Sequence, residues 1–353
     1  MNFGIYKITE KIPYVNFFIS KDLKIKNSTR ISVVIPTYRG EKFLNETLDS
    51  IINQSRPPDE LIISDDHSDD ETKNIILNFR KDASFPIFWI DHKPSGVTDN
   101  YLHAVGHASG DIIIIADQDD VWINDKVLII EKFFSDNPSI VLASSDSLIV
   151  DQYNSSLGRT LRIDSNRSII LSSKINDGDD FNEYLKGGLP LLAHTLSFRS
   201  IIKPRLLDKP EYIPEWWFEE WVCCVAVCMG QLGFIPDALT RYRQHPWNTA
   251  GEPRNGILQK LNKIQPIYPR LRKMEYCRSI ILSSKTLSPN EKNHRIGIIN
   301  KYINFLSIRK NIREKKNVRS FIFAFKAFFS GDYREYSRGC LSFLRDLIYS
   351  PGR

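Results

Sequence analysis

Apolar and polar residues alternate along the first 120 residues in blocks that indicate an α/β sheet. Short β-branched or aromatic runs, typical of strands, occur at 31–35, 61–63, 88–90 and 112–115. Between them apolar residues recur at helical spacing, as in 41–54 with Phe43, Leu44, Leu48, Ile51 and Ile52. This alternation predicts a parallel sheet flanked by helices. Right-handed crossovers would bring the loops after its strands to one edge.

The stretch 110–122 places three carboxylates directly after an apolar strand. It reads Gly-Asp-Ile-Ile-Ile-Ile-Ala-Asp-Gln-Asp-Asp-Val-Trp, so the acids are Asp117, Asp119 and Asp120. Acids this close repel one another unless a positive charge compensates. A divalent cation is one such charge, because carboxylate oxygens suit Mg²⁺ and Mn²⁺. The alternative is a polar loop in which Asp119 or Asp120 caps the next helix.

The chain after residue 138 continues with strand-like runs at 139–150 and 191–198. The polar segment 151–180 between them fits either a loop over a ligand site or a surface excursion. From residue 215 the pattern predicts a helix that is apolar nearly all round and therefore buried. Glu219 and Glu220 lie among aromatic residues at its start, where burial raises a carboxylate pKa and suits a general base. Alternatively, they stabilise the helix start through its dipole.

Charge divides the chain more sharply than the net value of +6 suggests. Residues 254–353 carry 22 Lys and Arg against six Asp and Glu, whereas residues 1–253 have a net charge of −10. We therefore predict an extension at 1–30, a body at 31–253 and a basic helical region at 254–353. Basic and bulky apolar residues mix at 310–329, which suits either an anionic membrane surface or a helical subdomain packed on the body.

Several classes of function are excluded by what the sequence lacks. Neither glycine-rich phosphate-binding motif occurs, which argues against a dinucleotide-binding dehydrogenase or a P-loop enzyme. No nucleic-acid-binding signature accompanies the basic charge, so no nucleic acid is expected. Three of the five cysteines crowd into 223–228, which predicts buried thiols in a reducing compartment. Without a signal-like or spanning apolar run, we expect a cytoplasmic protein, with peripheral contact to the inner face of a bacterial membrane as an option.

Four segments resemble successive motifs of family-2 glycosyltransferases with the GT-A fold. They are Val-Val-Ile-Pro-Thr-Tyr at 33–38, Ser-Asp-Asp-His-Ser-Asp at 64–69, the acidic stretch at 116–122, and Tyr-Arg-Gln-His at 242–245. The form Asp-Gln-Asp-Asp-Val-Trp is most similar to the bacterial rhamnosyltransferase-like branch. The resemblance implies a GT-A (Rossmann-like), mostly parallel mixed sheet flanked by helices, to which the C-terminal helical extension is added.

The resemblance also implies roles for individual residues. Nucleotide-sugar contacts would come from Pro36, Thr37, Tyr38, Asp66, Lys93, Asn100 and Asp117. Asp119, Asp117 and His245 would bind Mn²⁺ or Mg²⁺ in the motif that the family calls DxD. Glu220 would be the general base, with Glu219 as second choice, and Gly187 and Gly188 would border the donor sugar and the acceptor.

The activity implied is that of a metal-dependent, inverting glycosyltransferase. It would move a hexosyl or rhamnosyl group from a nucleotide-diphosphate sugar to a glycan or lipid-linked acceptor in the synthesis of a bacterial surface polysaccharide, such as O-antigen or capsule. The alternative is a degenerate member that binds a nucleotide sugar or a membrane without turnover.

Overall fold

The structure is a computed structural model that describes residues 29–161, 180–187, 191–210, 217–248, 267–337 and 339–348. Most of the predicted N-terminal extension, the glycine Gly188 and the predicted boundary at residue 253 lie outside these ranges. The division of the chain at that boundary therefore stays a prediction.

The first half of the body is the predicted parallel sheet. Four parallel strands lie in the order β3-β2-β1-β4, and a helix follows each of the first three. The strands are β1 (Ile31–Thr37), β2 (Glu60–Asp65), β3 (Ile87–Asp91) and β4 (Ile112–Ile115), and the helices are α1 (Leu44–Ile52), α2 (Thr72–Asp82) and α3 (Val97–His107).

The second half extends the same sheet with strands of mixed direction. The described strands follow the order β3-β2-β1-β4-β8-β6-β9-β5, with β7 paired to β6. The added strands are β5 (Val121–Trp122), β6 (Ile140–Val150), β7 (Ser156–Thr160), β8 (Leu196–Arg199) and β9 (Gln231–Arg243). The added helices are α4 (Lys126–Asp136), α5 (Asp180–Gly187), α6 (Lys203–Leu207) and α7 (Phe218–Met229). Since β8 runs antiparallel to β4 and β6 while β6 and β9 are parallel, the predicted mixed sheet is confirmed.

The second half differs from the predicted elements in three places. Residues 139–150 form one continuous strand rather than two, because β9 pairs along its whole length across bulges. The run 191–198 begins with a 3₁₀ turn at Ala193–Thr195, and only its end is a strand. The predicted loop 151–180 contains strand β7, while residues 162–179 lie outside the described part.

The sheet is buried on both faces. The four isoleucines of β4 divide between the two faces: Ile112 and Ile114 belong to the core under α1 and α4, and Ile113 and Ile115 to the core under α3 and α7. This arrangement explains why the strand sequence is apolar at every position. It also fixes the acidic triplet at the end of a rigid element.

Close contact between β1 and the turn before β4 requires a glycine. A Cβ atom on Gly110 would lie 2.6 Å from the backbone nitrogen of Ser32 and 2.9 Å from the carbonyl oxygen of Arg30. The backbone N–H of Gly110 instead donates to the Ser32 hydroxyl at 2.7 Å. This glycine therefore sets how closely the key strand approaches its neighbour.

Helix α7 is buried except at its first turn. From Trp221 to Met229 every side chain is buried, and the three cysteines of this run are free thiols, as predicted. The Cys224 Sγ lies 3.2 Å from the Sγ of Cys277. Because Cys277 belongs to the basic region, the body and that region share one core.

The basic region is a bundle of five described helices: α8 (Ile267–Ser283), α9 (Pro289–Lys315), α10 (Val318–Phe329), α11 (Asp332–Tyr336) and α12 (Cys340–Ile348). Ser288 and Glu291 form a capping box that starts α9. The fully buried Asp346 of α12 accepts hydrogen bonds from Arg309, Arg313 and Tyr333, which joins α9, α11 and α12. Across the described residues, none of the helices combines the length and apolar character needed to cross a bilayer.

Candidate active site

The three loops at the carboxyl edge of the parallel strands meet, as the topology predicts. Thr37 donates its hydroxyl proton to Asp65 at 2.6 Å. The backbone N–H of Tyr38 donates to the Gln118 side chain at 2.9 Å, and the Gln118 amide donates back to the Tyr38 carbonyl at 3.0 Å. These hydrogen bonds join the loops after β1, β2 and β4 to one another.

The residues expected to contact the nucleotide lie around the end of β1. The Tyr38 ring is half-exposed, whereas Thr37 is buried and its carbonyl oxygen accepts from the Asn100 amide at 3.2 Å. Asp66 accepts backbone N–H groups from Ser95 and Gly96, so it also shapes the turn before α3. Of the remaining two, Pro36 is half-buried in β1 and Lys93 is exposed between β3 and α3.

His67 takes a backbone conformation that is uncommon for a residue with a side chain. Its φ is +61°, in the left-handed region that favours glycine. Its imidazole lies 3.2 Å from the Asp91 carboxylate on β3. The turn after β2 therefore keeps a glycine-like backbone although it carries a histidine.

The three acids after β4 have three different environments. Asp117 is partly exposed and accepts a hydrogen bond from the Tyr101 hydroxyl of α3. Asp119 lies 2.8 Å from the Nε2 of His245, just beyond β9. Asp120 is fully buried, and one of its oxygens accepts the backbone N–H of Arg243 at 2.9 Å. The first two acids can face a substrate, whereas the third faces the interior.

A buried layer beneath the acids contains two residues that the sequence analysis missed. The Nδ1 of His194 lies 3.4 Å from Asp120 and 3.6 Å from Asp117. Lys126 donates to the His194 carbonyl at 3.0 Å and to the Thr240 hydroxyl at 2.7 Å. The only signals for this layer in the sequence were a charged residue on the apolar face of α4 and a single histidine within an apolar run.

Burial shifts the pKa values of Asp120 and Lys126 in the directions that favour their neutral forms. Burial, together with the charges of Asp119 and Asp117, raises the pKa of Asp120 well above its ordinary value. Burial lowers the pKa of Lys126 to about 7, against the opposing effect of the nearby carboxylates. The second oxygen of Asp120 has no hydrogen-bond partner among the described residues, although a buried carboxylate oxygen ordinarily has one.

The two glutamates at the start of α7 point to different surroundings. Glu220 forms an ion pair with Lys273 of α8 at 2.9 Å and is nearly half exposed. Glu219 is more deeply buried, and burial with the charges of Asp117 and Glu220 raises its pKa to about 7, although a backbone hydrogen bond opposes this. Of the two, Glu219, the second choice from sequence, is therefore the one whose pKa is affected by the charge of Asp117.

Tyr101 connects the acidic loop to the start of α7. Its ring stacks on Phe218 at a centroid distance of 4.4 Å, while its hydroxyl donates to Asp117. Burial first, and then the charges of Asp117, Glu219 and Asp119, raise the pKa of Tyr101 well above its ordinary value. The charges of three carboxylates from two segments thus act on one hydroxyl, which is hydrogen-bonded to Asp117. Of the predicted glycines, Gly187 ends α5, and Gly188 is outside the described residues.

The donor atoms present suit a divalent cation in two separate sets. Asp119 and His245 offer a carboxylate and an imidazole that are in direct contact. Asp117, Asp120 and His194 have ligand atoms that all lie within 4.8 Å of one another. Carboxylate and imidazole donors together suit Mn²⁺. The Asp120 oxygen that faces His194 Nδ1 at 3.4 Å forms no hydrogen bond among the described residues, which suits a cation close by.

The mixed sheet and its flanking helices form the GT-A fold. The structure of residues 1–349 of TarS from Staphylococcus aureus in complex with UDP-GlcNAc has the same fold, with a TM-score of 0.52 and 16% sequence identity. The match covers 90% of this chain and 81% of that one. The family model for glycosyl transferase family 2 matches residues 32–186. The match covers 155 of the 353 residues, and this part of the chain is similar to the family 2 domain.

Curated relatives match a part of the chain of about 90 to 115 residues. The GalNAc(5)-diNAcBac-PP-undecaprenol beta-1,3-glucosyltransferase of Campylobacter jejuni is 32% identical over 92 residues, which are 26% of this chain and 30% of that protein. Abequosyltransferase RfbV of Salmonella typhimurium is 34% identical over 115 residues, 32% of this chain and 34% of that protein. The chain thus spans about a third of the length of these relatives.

Proposed function

We propose that this protein is a metal-dependent, inverting glycosyltransferase that moves a sugar from a nucleotide-diphosphate sugar to a hydroxyl group of a glycan or lipid-linked acceptor. The observation that carries the proposal is the contact of the acidic loop with His245 and, through Tyr101 and Phe218, with the first turn of α7, which carries Glu219. The names of the relatives support a role in a bacterial surface polysaccharide, because they describe transfer to an undecaprenol-linked glycan and transfer of abequose.

The donor would bind across the ends of β1 and β2. The half-exposed Tyr38 ring offers a surface on which a base can stack. The buried side-chain oxygen of Asn100 has no hydrogen-bond partner among the described residues. Lys93 is exposed close to this edge and can approach a diphosphate. A UDP-sugar is the first donor to test, because the TarS structure contains UDP-GlcNAc. A hexosyl or a rhamnosyl group fits the proposal equally well.

The cation would be held by Asp119, His245 and Asp117. The side chains of Asp117 and Asp119 are partly exposed, and His245 is in contact with Asp119. Asp120 and His194 are buried and would support the site from beneath. When bound, the cation would supply positive charge to the leaving diphosphate. Asp119 and His245 already contact each other directly, so both donor atoms would be available to one cation.

Glu219 would take the proton from the acceptor hydroxyl as its oxygen attacks the anomeric carbon. A pKa of about 7 suits this task, because a general base should titrate near the working pH. Glu220 is engaged by Lys273, which supports a positioning role at the start of α7. With a single base and no second carboxylate assigned as nucleophile, direct displacement with inversion is the simplest course.

The reaction would take place in a reducing compartment, consistent with a cytoplasmic location. The buried Cys223, Cys224, Cys228 and Cys277 are all free, and two of their sulfur atoms are in contact without forming a disulfide. The acceptor would then be presented at the inner face of the bacterial membrane.

A donor panel tests the proposal. Thermal shifts are measured with Mn²⁺ and with UDP-, dTDP- and GDP-sugars, and every stabilising donor is then assayed for release of the nucleotide. Asp119→Asn should lower turnover by at least roughly a hundredfold, because the cation that would stabilise the leaving diphosphate loses a charged ligand. Asp136→Asn, an exposed position at the end of α4, is the matched control. Stabilisation without turnover by any donor would favour a binding module instead.

A further inference from the structure

Helix α10 carries an exposed apolar stripe. Val318, Ile322, Phe325 and Phe329 recur at spacings of four, three and four residues, so they share one face of the helix. All four are exposed, Val318 by 77% and Phe329 by 80%. The face opens into an apolar groove of about 610 Å³ that also includes Phe321 and Lys326. Large exposed apolar patches of this kind mark interaction sites.

Helix α12 extends the stripe. Leu341, Leu344 and Ile348 also share a face and are exposed, Ile348 by 77%. The two helices meet at Phe343, whose ring packs against Phe325 at 5.1 Å and Phe328 at 4.5 Å. The exposed residues of both helices therefore belong to one surface, which we call the apolar platform: Val318, Ile322, Phe325, Phe329, Leu341, Leu344 and Ile348.

Basic residues border the platform. Arg319 and Lys326 each follow a member of the stripe by one position, so both lie along the same flank of α10. Lys315 and Lys316 are exposed directly before Val318. Protein–protein interfaces are depleted of lysine, whereas helices that lie on membranes combine a bulky apolar face with flanking Lys and Arg.

We propose that the apolar platform binds the surface of an anionic lipid bilayer. The apolar side chains would enter the boundary between headgroups and acyl chains, and the flanking cations would contact lipid phosphates. This inference goes beyond the proposed transfer reaction and stands without it. It gives the protein a means of remaining at the surface where a lipid-linked acceptor is found.

Vesicle flotation of the full chain tests the proposal. Neutral phosphatidylcholine vesicles are compared with vesicles that also contain phosphatidylglycerol. The wild-type chain should bind the anionic vesicles, and added salt should weaken this binding. The triple variant V318S/F329S/I348S should lose more than about tenfold in binding, because all three side chains would leave an apolar environment. The matched control is Y153S/L157S/L282S, which alters three exposed apolar residues elsewhere.

Two double charge-reversal variants test whether binding depends on the cations beside the platform or on the net charge of the whole protein. Arg319→Glu with Lys326→Glu should weaken binding by roughly fivefold or more per residue. Lys81→Glu with Lys285→Glu changes the net charge equally at exposed positions elsewhere and should have much less effect.

Three results would overturn the proposal: no binding of the wild type to anionic vesicles, equal losses in the platform and control variants, or sedimentation velocity showing that the platform holds a second copy of the chain. The assay contains no sugar nucleotide, so its outcome is distinguishable from a failure of the proposed transfer reaction.

Discussion

Glu219 and Glu220 are adjacent in sequence, yet the first turn of α7 sends them to opposite partners. Glu220 meets a lysine of the helical bundle, and Glu219 lies near the acidic loop. Local sequence alone could not distinguish them, because the distinction depends on α8, which is more than 40 residues away. Substitution can distinguish them.

We expect Glu219→Gln to retain donor binding and to lose transfer by about a hundredfold or more, since a positioned general base contributes about that much. Glu220→Gln is the matched control and should retain most of the activity, with a modest loss of stability from the broken ion pair. Donor binding by thermal shift and transfer by nucleotide release check both variants. If Glu220→Gln is the inactive variant, the assignment of the base is reversed.

The raised pKa of Glu219 predicts a specific pH profile. The base must be ionised, so kcat/KM should rise with pH up to about 7 and level off above it. Burial keeps the proton on the folded state more firmly than on the unfolded chain, whose value is near 4.5. The contribution of this group to stability is therefore complete below 4.5 and decreases as pH rises through 7. Urea titrations of the wild type and of Glu219→Gln at several pH values in this range measure the free energy of unfolding of each protein. The same dependence of this free energy on pH in both proteins would contradict the prediction.

At the scale of single elements, strand β4 depends on the glycine that precedes it. Gly110→Ala would push a methyl group into the backbone of β1, with an expected cost of about 1–3 kcal/mol. Gly297→Ala is the matched control, because open space surrounds that position on α9 and alanine favours a helix by about 0.5–1 kcal/mol over glycine. Denaturant unfolding compares the two. Equal effects of both substitutions would show that the close approach at β1 is unimportant.

The first half of the fold could be predicted because its elements follow local periodicity. The parallel strands β1 to β4 and their helices appear in the sequence within a few residues of their observed ends. The second half could not, because β8 and β9 pair with strands far away in the chain, and Pro236 interrupts the pattern within β9. Register of this kind is set by distant partners rather than by local sequence.

The same limit applies to the site. Asp119 and His245 were grouped from sequence through a family resemblance, and the structure brings them into contact. Their roles toward a cation remain predictions. Lys126 and His194 escaped notice because a buried charge at an apolar position becomes meaningful only when its partners are known. Tyr101 was missed because its hydroxyl reaches Asp117 only across the packing of α3 on the sheet.

At the scale of the whole molecule, the helical bundle depends on one buried carboxylate. Asp346→Asn would leave Arg309 and Arg313 buried with a weakened partner, and loss of such a network costs about 3–5 kcal/mol. Asp332→Asn, on the half-buried surface of α11, is the matched control. Hydrogen exchange should show early opening of α9 and α12 in the first variant alone. Uniform loss of protection over the entire chain would instead indicate that body and bundle unfold together.

The contact between Lys273 and Glu220 has a consequence for engineering. A helix of the basic region reaches the turn that presents Glu219, and Cys277 on the same helix packs against Cys224. The bundle is therefore not an independent unit that another helical bundle could simply replace. A chimaera that grafts another bundle onto this body would keep the acidic loop intact but would lose both contacts, unless the graft supplied its own lysine and a side chain that packs against Cys224.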